Sequence, residues 1–127
     1  MLRLTALIAV IAAAAVPPAA APGKGSPGVI RSGKCIGGGA TWKLKAKNED
    51  ARLEVEFEVD QNIVGRRWKI TMSRGRTVIF RGARYTRAPS GSFTVQRLVA
   101  NPPGRDTIIA TARPARGNQL CRAMLTV

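Results

Sequence analysis

The stretch RLEVEFEVD at residues 52–60 decides the fold, because apolar and charged side chains alternate along it. Side chains on a β-strand point alternately to opposite faces, so the pattern predicts a strand with one face in a core and the other in water. The inward positions are Leu53, Val55, Phe57 and Val59, and the outward ones are Glu54, Glu56 and Glu58. The three glutamates are therefore predicted to form one face of a strand rather than a catalytic pair.

The run before it, residues 41–47, alternates in the same way and carries a lysine at each of three outward positions. The residues between the two runs, Asn-Glu-Asp-Ala at 48–51, are typical of turns, and we expect a four-residue loop there. The register that follows pairs Lys47 with Arg52, Lys45 with Glu54, Lys43 with Glu56, Leu44 with Val55 and Trp42 with Phe57. A catalytic acid needs a raised pKa and lysines opposite would lower it, so the hairpin is interpreted as structural.

A second hairpin is predicted around Gly75. Ile70 and Met72 alternate with polar residues before it, and Val78 and Phe80 follow it. A three-residue loop with Gly75 near the left-handed conformation sets Met72 opposite Val78 and Ile70 opposite Phe80. This register keeps the apolar side chains on one face.

The second half of the chain continues as short strands separated by turn signals. A turn is predicted at 88–91, and strands are predicted at 93–99, 107–112 and 120–127. In the strand at 93–99, Phe93, Val95 and Leu98 are predicted to point inward, and the change from odd to even positions implies a β-bulge near Gln96 or Arg97. The last strand places Cys121, Ala123, Leu125 and Val127 on its inner face. Seven strands without a helix after the N-terminal segment predict an all-β, antiparallel sandwich of two sheets, and a small closed barrel is the alternative.

The first 21 residues have the features of a secretory signal peptide. Arg3 precedes an apolar run at 4–16, and small residues follow at 19–21. The run is shorter than the roughly 20 apolar residues that span a bilayer, so we expect a helical signal over 1–21, cleavage between 16 and 22, and a secreted protein without a transmembrane span. An uncleaved anchor is the alternative. The segment 22–39 is rich in Gly and Pro and is predicted to be a flexible lead-in to a β-sandwich domain over 40–127.

The chain has two cysteines, Cys35 and Cys121, near the two ends of the predicted domain. In an oxidising compartment they are expected to form one disulfide that ties the beginning of the domain to its last strand, with Cα atoms roughly 5 to 6 Å apart. Free thiols or an intermolecular bridge are the alternatives.

The chain has no histidine. This excludes Ser-His-Asp and Cys-His arrangements and every zinc site that needs a histidine, and two cysteines alone do not complete a structural zinc site. No catalytic, cofactor-binding or metal-binding residues stand out. We therefore expect a non-enzymatic binding or structural module.

The basic residues are concentrated in the second half of the chain. Residues 22–60 hold seven Lys or Arg against six Asp or Glu, a net charge of +1, whereas residues 61–127 hold thirteen against Asp106 alone, a net charge of +12. Arginine suits bidentate contact with phosphate or carboxylate, so a polyanion is a reasonable partner: an anionic cell-wall polymer, an acidic polysaccharide, a lipid surface or nucleic acid. The candidate contacts are Arg74, Arg76, Arg81, Arg84 and Arg87. Basicity that serves only solubility is the simpler interpretation, and a secreted inhibitor that presents the loop at 87–92 is the alternative function.

Several segments carry a resemblance when taken in order. They are Trp42-Lys43-Leu44-Lys45, the glutamate strand, APSGSFTV at 88–95, DTIIATA at 106–112 and Cys121. In this order they resemble small secreted bacterial proteins of unknown function with an immunoglobulin-like domain. The resemblance implies an immunoglobulin-like sandwich and brings no function with it. In antibody-type domains the disulfide joins two central strands, whereas a bridge here would join the edges.

Overall fold

The computed structural model describes residues 28–101 and 103–127, which form eight antiparallel β-strands in two sheets. The strands are β1 (Val29–Lys34), β2 (Thr41–Glu49), β3 (Arg52–Asp60), β4 (Arg67–Arg74), β5 (Thr77–Tyr85), β6 (Ser92–Ala100), β7 (Thr107–Pro114) and β8 (Cys121–Thr126). The predicted signal peptide over 1–21 and its helix lie outside the described residues. Within the described residues, no helix is long and apolar enough to cross a membrane.

The first sheet has the strand order β1-β2-β3-β6 and the second has the order β5-β4-β7-β8. Hairpins join neighbours within each sheet, and the chain crosses between the sheets at 61–66, 86–91 and 101–106. The inward side chains of both sheets form one core, which includes the fully buried Trp68 and Phe57. The all-β, two-sheet prediction is confirmed, with eight strands rather than seven.

The additional strand is β1, which lies within the segment predicted to be a flexible lead-in at 22–39. Residues 29–34 of that segment pair along their whole length with β2. Gly33 lies opposite Trp42, and a Cβ at position 33 would come within 2.8 Å of the indole ring. Glycine, which looks like a loop signal in the sequence, is needed here because the Trp42 ring packs across the backbone.

The register of the β2–β3 hairpin differs from the prediction by two residues. Lys47 lies opposite Glu54, Lys45 opposite Glu56 and Lys43 opposite Glu58. The turn contains only Asp50 and Ala51, both with positive φ, at 48° and 62°. Two left-handed residues form the tight turn that matches the twist of paired strands. A shift of two residues keeps every side chain on its predicted face, so the face assignment was right and the partners were wrong.

The β4–β5 hairpin also turns more tightly than predicted. Met72 lies opposite Phe80 rather than Val78, and Ile70 lies opposite Gly82. A register shift after Met72 lets a two-residue turn join the strands without placing polar residues in the core. Gly75 has the expected positive φ of 56°.

Strand β6 pairs with β3 in an unbroken register, so the bulge predicted near Gln96 or Arg97 does not exist. Phe93 and Val95 are buried as predicted, but Leu98 is 52% exposed. Val99 is half-buried in its place, which continues the odd-numbered alternation.

The predicted disulfide between Cys35 and Cys121 is confirmed, with a Cα–Cα distance of 4.3 Å, shorter than the expected 5 to 6 Å. Cys35 follows β1, an edge strand of the first sheet, and Cys121 begins β8, an edge strand of the second. Next to the bridge, Ile36 and Leu120 exchange two backbone hydrogen bonds of 2.8 and 2.9 Å. One side of the two-sheet structure is therefore closed covalently.

Candidate polyanion-binding surface

Acidic and basic side chains are segregated between the two sheets. Every Asp or Glu that lies within a strand belongs to β2 or β3. On the outer face of that first sheet, the lysines of β2 lie opposite the glutamates of β3, and Lys47 Nζ approaches Glu54 Oε2 to 3.6 Å. Opposite charges in close register largely cancel, so this face presents little net charge to an approaching ion.

The outer face of the second sheet carries five exposed cations and, within the described residues, no carboxylate. We call these residues the cationic face: Arg67, Lys69, Arg81, Arg113 and Arg122. Lys69 lies directly opposite Arg113, and Arg81 and Arg122 stand at the two ends of one row across all four strands. Positions two apart on a strand are about 6.6 Å apart and neighbouring strands about 4.8 Å apart, so these guanidinium and ammonium groups share a continuous flat surface.

A shallow depression of about 340 Å³ lies between β4 and β5 on this surface. Three members of the cationic face line it, namely Arg67, Lys69 and Arg81. Thr71 and Ala83 lie at its base, and their side chains are shorter than the arginine and lysine side chains that surround them. An anionic group that enters the depression would meet positive charge on several sides.

The five arginines predicted from the sequence do not lie on one surface. Arg81 belongs to the cationic face, whereas Arg74 and Arg84 lie at the open side of the structure, between β5 and β6. Arg76 is exposed in the hairpin turn, and Arg87 follows β5, where it forms a bridge with Ser92. Strand alternation separates neighbours such as Arg81 and Arg84, because an odd spacing places them on opposite faces.

Three arginines, Arg74, Arg84 and Arg97, close the side of the molecule opposite the disulfide, and we call them the arginine seam. Arg97 on β6 donates to the carbonyl of Ile79 on β5 at 3.1 Å. The Phe80 ring lies near two guanidinium groups, with Arg84 at 4.9 Å and Arg97 at 5.6 Å from its centroid. Arg74 donates to the carbonyl of Ala100. Cation–π contacts and hydrogen bonds therefore join the two sheets here.

Four members of the cationic face, Arg67, Lys69, Arg113 and Arg122, were missed by reasoning from the sequence. The signal was present, since Lys69 alternates with buried residues of β4 and Arg122 with those of β8. The net charge of a chain segment does not show which strands are neighbours, and the composition of a sheet face depends on that order. Arg113 joins Lys69 only because β7 pairs with β4.

In the part of the chain that the structure describes, two glutamates at the turn end of the β2–β3 hairpin have shifted pKa values. A hydrogen bond with Glu49 lowers the pKa of Glu54, and the same contact raises the pKa of Glu49. Gln96 also donates to Glu54 at 2.7 Å, and Lys47 lies within 4 Å of both carboxylates. The Glu49 side chain is 38% exposed, and the 17% exposed Glu54 has polar partners around it rather than an apolar pocket, which indicates a structural pair.

No group of three or more potential metal ligands occurs in the described ranges. A comparison with known protein families, curated proteins and solved structures found no significant match to the chain.

Proposed function

We propose that this chain is a secreted, non-enzymatic module that binds extracellular polyanions through the cationic face. The observation that carries the proposal is the segregation of charge, with five cations and no described carboxylate on one flat face and paired charges on the other. A flat sheet face with exposed arginines suits an extended anionic chain, because successive charges along the polymer can meet successive strands.

We also propose that the domain is immunoglobulin-like. Strands β2, β3 and β6 in one sheet and β4, β7 and β8 in the other follow the order A-B-E and C-F-G of such domains. Trp68 on β4 occupies the strand that carries the buried tryptophan in antibody domains, and its ring lies 6.0 Å from that of Phe93. The disulfide at the edge departs from that pattern. This fold supports binding by a sheet face and implies no particular ligand.

The number of cations gives the expected salt dependence. If a single-stranded or similarly charged polymer contacts all five, the slope of log K against log salt is about −3.5. Affinity should then fall roughly 100-fold between 50 and 200 mM salt. With two contacts left, the same change should lower affinity only about sevenfold.

Two triple variants of equal net charge test the proposal. Lys69→Gln, Arg81→Gln and Arg113→Gln remove three charges from the cationic face. Lys43→Gln, Lys45→Gln and Lys47→Gln remove three charges from the outer face of the first sheet, where each lysine lies opposite a glutamate. Binding to heparin is measured by calorimetry at several salt concentrations. We expect the first variant to flatten the salt slope and the second to leave it nearly unchanged. Equal losses from both variants would reduce the effect to general basicity and contradict the proposal.

The alternative function, an inhibitor that presents residues 87–92, has less support from the geometry. These residues form a tight turn in which Gly91 N donates to Arg87 O at 2.8 Å and Arg87 N donates to Ser92 O at 2.8 Å. Such a turn offers no extended segment to enter a protease cleft. Inhibition assays against secreted proteases would test it directly.

A further inference from the structure

A separate pocket of about 330 Å³ lies where the turn at 86–91 joins the two sheets. Two arginines, Arg84 and Arg87, and the 56% exposed ring of Tyr85 line one side. Ser92 and Thr94 of β6 line the other side with hydroxyl groups. No carboxylate lines the pocket, so a negative group within it would meet only cations, hydroxyls and an aromatic face.

One arginine of this pocket, Arg84, has its guanidinium held in place before any ligand arrives. Arg84 stacks over Phe80 and donates to the carbonyl of Ala83 at 3.0 Å. The backbone of Arg87 is fixed by its bridge to Ser92. A guanidinium that is already ordered loses less conformational entropy on binding, which favours a defined site over diffuse attraction.

The hydroxyl side of the pocket leads directly to hydrogen-bond acceptors. Ser92 lies opposite Asp60 and Thr94 opposite Glu58 in the β3–β6 pairing, so each pair shares a face. Asp60 and Glu58 in turn line a depression of about 390 Å³ that extends toward β2 and β1. The surface therefore runs from cations, past an aromatic ring and hydroxyls, to carboxylates.

We propose that this pocket binds one acidic sugar unit of a polysaccharide, an inference that rests on the proposed function and specifies its ligand. The sugar carboxylate pairs with Arg84 and Arg87, the ring stacks on Tyr85, and the sugar hydroxyls form hydrogen bonds with Ser92 and Thr94. A polyphosphate chain has no ring to stack on Tyr85, and each of its units carries a charge that Asp60 and Glu58, beside the two hydroxyls, would repel.

The pocket is continuous with the cationic face through Tyr85, which lies directly opposite Arg67 in the β4–β5 pairing. A polysaccharide lying on the cationic face can thus cross Tyr85 and place one sugar in the pocket. The face provides salt-dependent attraction, and the pocket selects sugar over other anions.

Calorimetry of the disulfide-bonded protein with an oligogalacturonate, a neutral maltooligosaccharide and a linear polyphosphate tests the inference. The variants are Tyr85→Ala and Arg87→Gln, and Arg122→Gln, at the far edge of the cationic face, is the control that matches the charge change of Arg87→Gln. We expect the first two to weaken oligogalacturonate binding about tenfold and Arg122→Gln to weaken it about two- to threefold. Tyr85→Ala should leave polyphosphate binding unchanged. The neutral maltooligosaccharide should bind neither the unaltered protein nor any variant.

The outcomes separate the two proposals. If Tyr85→Ala leaves oligogalacturonate binding unchanged, or weakens polyphosphate binding equally, the sugar pocket is overturned while the cationic face stands. If the triple variant of the cationic face binds both anions as well as the unaltered protein, the proposed function itself fails. Near-ultraviolet circular dichroism confirms that each variant keeps its folded core.

Discussion

Removal of the disulfide is expected to take away a large part of the stability of the domain. Cys35 and Cys121 are separated by 86 residues, so the bridge closes nearly the whole described chain into one loop. By the chain-entropy relation, a loop of this length restricts the unfolded state by about 4.5 kcal/mol, which is an upper figure. Domains of this size are stable by only about 5 to 15 kcal/mol, so the loss would be a substantial fraction of the total.

The perturbation is the double change Cys35→Ala and Cys121→Ala, because both side chains are buried and alanine leaves no unpaired polar group. Urea unfolding is followed by tryptophan fluorescence, because Trp68 is fully buried, Trp42 is partly buried, and both become solvated on unfolding. We expect the free energy of unfolding to fall by about 3 to 4.5 kcal/mol, with a larger m value because the uncrosslinked unfolded chain exposes more surface. The unaltered protein in reducing agent should show the same change. A loss below about 1 kcal/mol would refute the reasoning and assign closure of the two sheets to other contacts.

Two other predictions concern the turns. Gly91 has a φ of 71°, and a Cβ there would overlap the backbone nitrogen of Ile63, so Gly91→Ala should lower the free energy of unfolding by roughly 3 kcal/mol or more. Gly117 has a φ of 89° but open space around it, so Gly117→Ala should lower the free energy of unfolding by only about 1 kcal/mol in the same urea assay. Equal losses from the two variants would contradict the packing argument. Carboxyl titration by NMR should find the pKa of Glu54 below that of Glu49. Because the pKa of Glu54 is lower in the folded state than in the unfolded state, Glu54 stabilises the fold above its unfolded-state pKa, and this stabilisation is lost as pH falls through the folded-state pKa. Glu49 has a raised pKa in the folded state, so its contribution is present at low pH and is lost as pH rises through that pKa. The reverse order of titration would show that the hydrogen bond between them is absent in solution.

The strands could be predicted from the sequence wherever one face is buried and the other is wet. The run at 52–60 is the clearest case, because alternation in β3 directly reports the two environments. The same reasoning failed for β1, where the residues are mostly exposed and Gly33 is selected by its contact with Trp42 rather than by its own propensity. Leu98 was placed inward because it is apolar, yet it lies on an edge strand with one face in water.

Hairpin registers were less predictable, because they depend on backbone conformations that the residue types do not favour. Ala51 adopts a left-handed conformation that costs roughly 1 to 2 kcal/mol for a residue with a Cβ, so a two-residue turn was not expected there. The observed register places Lys47 opposite Glu54, whereas the predicted one would have placed it opposite Arg52. The cationic face could not be predicted without the strand order, because Lys69 and Arg113 are neighbours only through the pairing of β4 with β7.

The position of the disulfide has a mechanical consequence. Tension applied to the two ends of the described chain would pass through the bond between Cys35 and Cys121 after only residues 28–34 and 122–127 had been pulled out. Those residues extend by roughly 45 Å in total at about 3.5 Å each. The remaining six strands, including the whole arginine seam and most of the cationic face, would bear no load. Under tension the domain would therefore extend by this short length and then resist further extension, with strands β2 to β7 still folded.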